Sequence, residues 1–540
     1  MLDVSRYGII SLLLVLTLIV FLAFNPDSYD QALTGSEDIV IREDKPGSEA
    51  FREIEVAVVA GSMASDDAVA NTTLALTLLK RAYMTCASVT EAGEPQTIIM
   101  EASHVSDEEV KLLKSYLAGG GSVIFAELPE MTAPVMDLLQ ITSKPEQQYV
   151  WGFEVYEGVL LGGMLRADRV LYHCEGVKLS GRCKVFANGF NVGVEREMTP
   201  LIWRTFYEGG VIYALNAPFL RDPAGMGMLA GVLAMAQRDF LYPIVGTRSL
   251  ALTNFPYFTD DAEISGRTPF VFTRDVVWPG LLSIARNTGL TLTCYASGGV
   301  GTKREAYDTW NFVIHEQLKI RGELGSAAED SEQLALDLAF LKEREPSYTL
   351  RSVKASGGLE LPLNDATSVM LDGWGGAMRW LNDQAVSLPL ISDGIGGDFS
   401  YFRMVSAVSL MGYAAHQVDM APVYRGDVSW NDYSYELAGY LTRTMAELGF
   451  LRAVPVAIAA EEVKNYLNAA VTIRRSEDAI FASLENNARE MNFILRTSRD
   501  IDFSGCENCA VAALEPGVYY VKSPGPEFEI RFKRDAEAMP

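Results

Sequence analysis

Leu252-Thr-Asn-Phe-Pro-Tyr-Phe-Thr-Asp260-Asp261 decides how this chain is read. An apolar run of strand character ends there in two adjacent carboxylates. Trp278-Pro279-Gly280-Leu281-Leu282-Ser283-Ile284-Ala285 follows, then a second strand-like run, Leu290-Thr-Leu-Thr-Cys-Tyr-Ala296. Acidic side chains at the carboxyl end of a strand occupy the position where α/β domains place their chemistry. An Asx turn capping the next loop is the other reading of the pair, because Asp forms such turns readily.

Upstream, Glu55-Val-Ala-Val-Val-Ala60, Thr97-Ile-Ile-Met-Glu101 and Ser122-Val-Ile-Phe-Ala-Glu127 read as buried strands. Between them, Asp67 to Met84 has helical periodicity. Ser106-Asp-Glu-Glu109 is a capping box opening a helix through Leu112, Leu113 and Tyr116, which stops at Gly119-Gly-Gly121. Strands alternating with helices predict a parallel sheet covered on both faces. Shorter β segments over 150–190, a strand at Gly210–Leu215 and a helix from about Gly225 to Arg238 close this domain near 245.

The balance of 45 basic to 70 acidic residues, a net charge of −25, excludes a nucleic-acid backbone as partner. It makes a cationic partner or polymer more comfortable than an anionic one; acidity that simply keeps a secreted protein soluble is the other reading. Gly8 to Phe24 is an uncharged apolar run preceded by Arg6, at the short end of a membrane span of about 20 residues. No small-residue cleavage site follows Phe24. The reading is an uncleaved anchor with the bulk of the chain outside the cell membrane, joined by a polar tether over 26–50. Of six cysteines, Cys174 and Cys183 flank a plausible hairpin staple. Cys506-Glu-Asn-Cys509 reads as a turn disulfide or a free thiol pair, since a structural zinc site needs four ligands.

Here a resemblance becomes specific. "YFTDDAEI" followed by "VWPGLLSIARNTGLTLTCYAS" resembles the first motif and first βα unit of NodB-like polysaccharide deacetylases. The resemblance implies an incomplete (β/α) barrel, with Asp260 as general base and Asp261 as ligand to a divalent metal, zinc in that family. Two His of an HxxxH motif would complete the metal site, and a late His would act as general acid. The place matching HxxxH is Gly322-Glu323-Leu324-Gly325-Ser326-Ala327-Ala328-Glu329-Asp330-Ser331, where Ala327 and Ser331 replace the imidazoles. Ser326-x-x-Glu329 reads instead as a capping box. The ligand set is therefore incomplete, although Glu329 and Asp330 offer oxygen donors for a hard cation. Similarly, "YLAGGGSVIFAE" resembles glutamine-amidotransferase-like domains, but Glu127-Leu-Pro129 lacks the nucleophilic Cys, so no amidase activity is implied.

Ser406 to Met420 is an apolar segment delivering His416 and, three residues on, Asp419. By the resemblance His416 is the general acid; a core His bonded to Asp419 is the alternative. Leu371-Asp372-Gly-Trp374-Gly-Gly376 and Ile391-Ser-Asp393-Gly-Ile-Gly-Gly397-Asp398 are Gly-rich turns. At a barrel mouth, Trp374, Asp372, Asp393, Asp398 and Asp419 would contact sugar; plain turns are the other reading. From Val471 onward, short alternating strands predict a small β-sandwich.

The expected architecture is α/β throughout its first two modules. An anchor spans 1–25, a Rossmann-like (glutamine-amidotransferase-like) α/β domain 51–245, a NodB-type incomplete barrel 246–468 and a β-sandwich 469–540. The layout is similar to that of bacterial proteins linked to exopolysaccharide production. Three functions follow. The barrel is a degenerate deacetylase that binds an amino-sugar polysaccharide; or it is an active metal-dependent deacetylase or hydrolase using Asp260, Asp261 and His416; or it is an assembly protein working with exopolysaccharide secretion partners.

Overall fold

The computed structural model describes residues 54–533 apart from 62, 157, 192–197, 258–262, 297–303, 328–330, 356–367, 372–377 and 447. The apolar run Gly8–Phe24 lies outside them. Among the described residues no helix is long and apolar enough to cross a membrane.

The first sheet has nine strands: β1 (Val56–Ala60), β2 (Tyr83–Cys86), β3 (Thr97–Glu101), β4 (Ser122–Phe125), β5 (Gln147–Val155), β6 (Leu165–Glu175), β7 (Lys184–Phe190), β8 (Thr199–Tyr207) and β9 (Gly210–Leu215). Their order is β2-β1-β3-β4-β9-β8-β7-β5-β6. The half from β2 to β9 is parallel, with Val56–Val59 fully covered, as buried parallel strands require. The remaining strands extend the sheet in antiparallel fashion. Helix α1 (Asp66–Leu78) starts on Ser65, and α2 (Asp107–Ala118) on the expected Ser106–Glu109 capping box. The helix expected to reach Met84 ends at Leu78 instead. Lys80 takes a left-handed conformation (φ 55°), the chain reverses, and Tyr83–Cys86 pairs with β1.

The second sheet carries β11 (Thr247–Thr253), β12 (Leu292–Ala296), β13 (Glu323–Ser326), β14 (Ser352–Ala355), β15 (Ser368–Leu371), β16 (Arg379–Trp380), β17 (Val386–Pro389), β18 (Ser392–Asp393) and β19 (Tyr413–Asp419). The order is β16-β17-β15-β14-β13-β12-β11-β19-β18, with β20 (Arg452–Ala453) beside β11. Every pair except β16–β17 is parallel. Strands follow one another around the sheet and β19 returns to β11, leaving β17 and β18 unjoined: a half-barrel. Three helices on its outside follow β11, β12 and β13 in turn: α4 (Trp278–Thr288), α5 (Arg304–Ile320) and α6 (Ser331–Arg344). Ser326, expected to cap α6, is the last residue of β13, and its hydroxyl bonds to Asp337.

The two sheets share one core. Helix α3 (Met226–Ala236) from the first packs on α7 (Asp398–Met411) from the second, and both are buried on nearly all sides. Gly227 makes that approach possible: a Cβ there would lie 2.2 Å from the Ser406 carbonyl oxygen. Two further helices, α8 (Trp430–Ala446) and α9 (Val456–Asn468), complete the half-barrel.

The chain ends in two small antiparallel sheets. One is β10 (Phe240–Ile244), β23 (Met491–Arg496), β25 (Val518–Ser523) and β24 (Ala510–Glu515); the other is β21 (Ala470–Arg475), β22 (Ala479–Glu485) and β26 (Glu527–Arg531). Leu241, Phe493 and Val521 from the first meet Ile480, Phe528 and Ile530 from the second in a common core. Strand β10 lies inside the 51–245 segment in sequence but is hydrogen-bonded to β23.

All six cysteines are free thiols. The expected Cys174–Cys183 staple is absent: Cys174 is buried in β6, where desolvation raises its thiol to about 11.

Candidate functional site

The carboxyl ends of β11 and β19 lie side by side, Thr253 opposite Asp419. Asp260 and Asp261 lie outside the described residues, as do Asp372 and Trp374. The backbone leading to the acidic pair is described as far as Tyr257, and it leaves β11 at the mouth of the half-barrel.

Asp419 is held firmly there. Its Oδ1 accepts from Asn254 Nδ2 at 2.7 Å and from the Ala421 amide at 3.0 Å. The Tyr433 hydroxyl donates to the Asp419 carbonyl at 2.6 Å, and burial pushes that phenol up to about 12. Beyond Asn254, Phe255 stacks parallel on Trp278 with ring centroids 6.1 Å apart. The Arg425 guanidinium lies 5.9 Å from the Tyr257 ring centre; its hydrogen bond to that phenol raises its pKa. The mouth is thus a polar ring of Asn254, Tyr257, Asp419 and Arg425 on an aromatic floor. The sequence singled out Asp419 for a barrel mouth and did not single out the other three. Asn254, in the quoted stretch, was the available signal, since Asn tolerates the left-handed backbone (φ 52°) that it adopts.

His416 is elsewhere. It sits mid-strand rather than at the end of β19, and successive side chains of a strand face opposite sides. A spacing of three therefore sends His416 and Asp419 to opposite faces. Asp419 shares its face with Ser249, whose hydroxyl bonds to Val454 on the inner side. The His416 ring lies on the outer face, fully buried, 5.1 Å from the Tyr440 ring of α8. Its Nδ1 is 2.9 Å from Ser392 Oγ. Desolvation lowers its pKa to about 4, so it is neutral. No His416–Asp419 bond exists.

Asp393 is exposed at the end of β18, opposite Gln417. Asp398 opens α7 and accepts from the Asp168 amide of β6 at 3.4 Å, so it faces the first sheet. Ala327, in place of the first family imidazole, packs against the core. Among the described residues no three His, Cys, Asp or Glu side chains group to hold a metal ion.

On the inner face, the opposite rim of the half-barrel is sealed. Glu323 is buried; its carboxylate accepts from Ser352 Oγ at 2.6 Å, Thr293 Oγ1 at 3.3 Å and the Ala457 amide at 2.9 Å. The last bond places it at the amino end of α9, where a negative charge is favoured. Desolvation still raises its pKa.

No protein-family model matches this sequence, and no curated protein matches it. Among solved structures, the crystal structure of the carbohydrate deacetylase Agd3 aligns with 89% of this chain and 99% of its own, at a TM-score of 0.55 and 9% identity. A Parabacteroides distasonis protein in the glycoside hydrolase/deacetylase class aligns over 47% of this chain and 82% of its own at 12% identity. The TM-score of that alignment is 0.30. Over nearly its whole length, therefore, the chain has the fold of a carbohydrate deacetylase.

Proposed function

We propose that this is a deacetylase-like protein that binds a polysaccharide at the half-barrel mouth and does not turn it over by the family's histidine-dependent route. The observation that carries this reading is the position of all four histidines. His104 is an exposed partner of Glu130, His173 lies on β6, His315 is exposed on α5, and His416 faces α8. None stands at the mouth.

Zinc, implied by the fold family, prefers nitrogen or sulfur ligands. The residues here do not fit it: Asp419 is already engaged by Asn254, and the family's imidazole positions hold Ala327 and Ser331. In this reading the carboxylates act as acceptors for sugar hydroxyl and amine groups. Asp419 is pre-oriented by Asn254, Asp260 and Asp261 follow Tyr257 by three and four residues in the sequence, and the Tyr257 ring offers an apolar face. The paired carboxylates suit a polymer of amino sugars with free amines, consistent with the net charge of −25. The two terminal sheets we read as a β-sandwich. The Gly8–Phe24 run we read as an anchor holding the chain outside the cell membrane, beside exopolysaccharide secretion proteins.

The test incubates purified protein with N-acetylated amino-sugar oligomers and follows both retention and acetate. Oligomer retention without acetate above the blank is the expected result, with weaker retention by Asp260→Ala and Asp261→Ala. Acetate release that disappears in Asp260→Ala would overturn the reading in favour of a working deacetylase with atypical ligands. Absence of any sugar affinity, with a protein complex retained, would favour the assembly role.

A further inference from the structure

The first sheet leaves one face of its β5–β6 pair uncovered. Along β5, Gln147, Tyr149 and Trp151 point outward at alternate positions while Val150 points inward. Tyr149 is 59% exposed and Trp151 50% exposed, although side chains of this size dominate cores when they can be buried. His173 stands directly opposite Tyr149 on β6, its ring edge-on with centroids 5.2 Å apart. That contact orders the tyrosine without covering it. Trp151 stands opposite a bulge in β6, where Arg169, Val170 and Leu171 face it alone, since the register passes from Val150–Tyr172 to Gly152–Asp168.

The stripe leads into a cleft of about 350 Å³. Its walls include Glu127, Glu130, Lys144, Gln147, His173 and Glu175. They come from the loops leaving β4 and β9, the start of β5 and the end of β6. This is the carboxyl rim of the parallel strands, the usual place for ligands in open α/β sheets. Asn216 fixes the rim by bonding to the Glu175 backbone at both its amide (2.8 Å) and its carbonyl (2.7 Å).

Two exposed rings about 7 Å apart on one strand present flat apolar faces to the C–H side of pyranose rings. The adjoining cleft supplies imidazole, amide and carboxylate groups for hydroxyls and amines. With Glu127 paired to Arg221, the cleft keeps Glu130 and Glu175 against Lys144, and in a chain of net charge −25 this disfavours a polyanion. We propose that the Tyr149–Trp151 stripe and its cleft form a second glycan-binding surface, separate from the half-barrel mouth and selective for uncharged or cationic chains.

The experiment measures binding of the full chain to N-acetylglucosamine hexamer, its de-N-acetylated form and polygalacturonate. Trp151→Ala and Tyr149→Ala are expected to weaken binding of the first two by about ten-fold each at unchanged melting temperature, while polygalacturonate does not bind. The effect should persist in an Asp260→Ala/Asp261→Ala background, so failure at the mouth and failure here are distinguishable. The proposal is overturned if wild type binds neither hexamer, if the double variant Tyr149→Ala/Trp151→Ala binds them as wild type does, or if polygalacturonate binds more tightly than either.

Discussion

Asn254 donates from Nδ2 to Asp419 Oδ1 at 2.7 Å, joining the exit of β11 to that of β19. This bond fixes the backbone just before it runs on to Asp260 and Asp261. Deleting the carboxylate would orphan the Asn254 amide and remove one partner of the Ala421 N–H. Asp419→Ala is expected to cost about 1–3 kcal/mol of stability and to weaken oligomer binding at the mouth. Denaturant titration and calorimetry on one preparation check both effects; a variant as stable as wild type would deny the bond its structural role.

His416 carries a different expectation. Held at about 4 in the folded chain by burial, it takes up a proton on unfolding at pH values below the ordinary 6.5. Its folded pKa is depressed for a base, so it costs nothing above 6.5, and its own contribution lowers stability as pH drops toward 4. The loss is on the order of 3 kcal/mol. His416→Gln should remove that contribution, gaining stability on wild type as pH falls toward 4, while leaving oligomer affinity within about two-fold, because distant sites act independently. Strong loss of affinity or activity with an unchanged stability profile would restore His416 to the site.

Much of the fold was legible because buried parallel strands read as uninterrupted apolar runs: Thr97–Glu101 and Gly210–Leu215 match their expected bounds. Where a helix and a strand are both fully buried, hydropathy cannot divide them. The segment through Ser406 and His416 is helix α7 followed by β19. Gly412 marked the boundary; its φ is 58°, and a Cβ there would lie 2.6 Å from Ile244. With the strand recognised, the three-residue spacing already separates His416 from Asp419. The Asn254–Asp419 bond was not legible, because it joins residues 165 apart whose strands meet only when the sheet curls.

Glu323 tests how α9 is seated. Three hydrogen bonds compensate its burial, and breaking such a set leaves several donors unsatisfied. Glu323→Ala should destabilise by about 3 kcal/mol, whereas Glu323→Gln, which retains an acceptor, should cost less. Thermal melts of the two variants check the order. Equal losses would mean that the charge at the amino end of α9 matters more than the acceptor geometry.

Glu101 supplies the opposite pH response to His416. It ends β3 and accepts from Thr72 Oγ1 at 2.5 Å. Burial, chiefly, raises its carboxyl to about 7, with Glu127 adding to the rise and the Thr72 bond and Arg221 opposing it. The folded chain therefore holds a proton that the unfolded chain releases above 4.5, so stability is lost as pH rises from about 4.5 to 7. Glu101→Gln keeps the acceptor for Thr72 without the charge. It should be more stable than wild type at pH 8, by an amount on the order of 3 kcal/mol, and similar to it at pH 4. Because the His416 and Glu101 windows overlap with opposite signs, their contributions largely cancel in wild type. Glu101→Gln alone should reveal a loss of stability toward low pH, His416→Gln alone a loss toward high pH, and the double variant neither. Unfolding free energies of the four proteins between pH 4 and 8 decide the matter: a Glu101→Gln profile parallel to wild type would show that this carboxyl ionises normally in the folded chain.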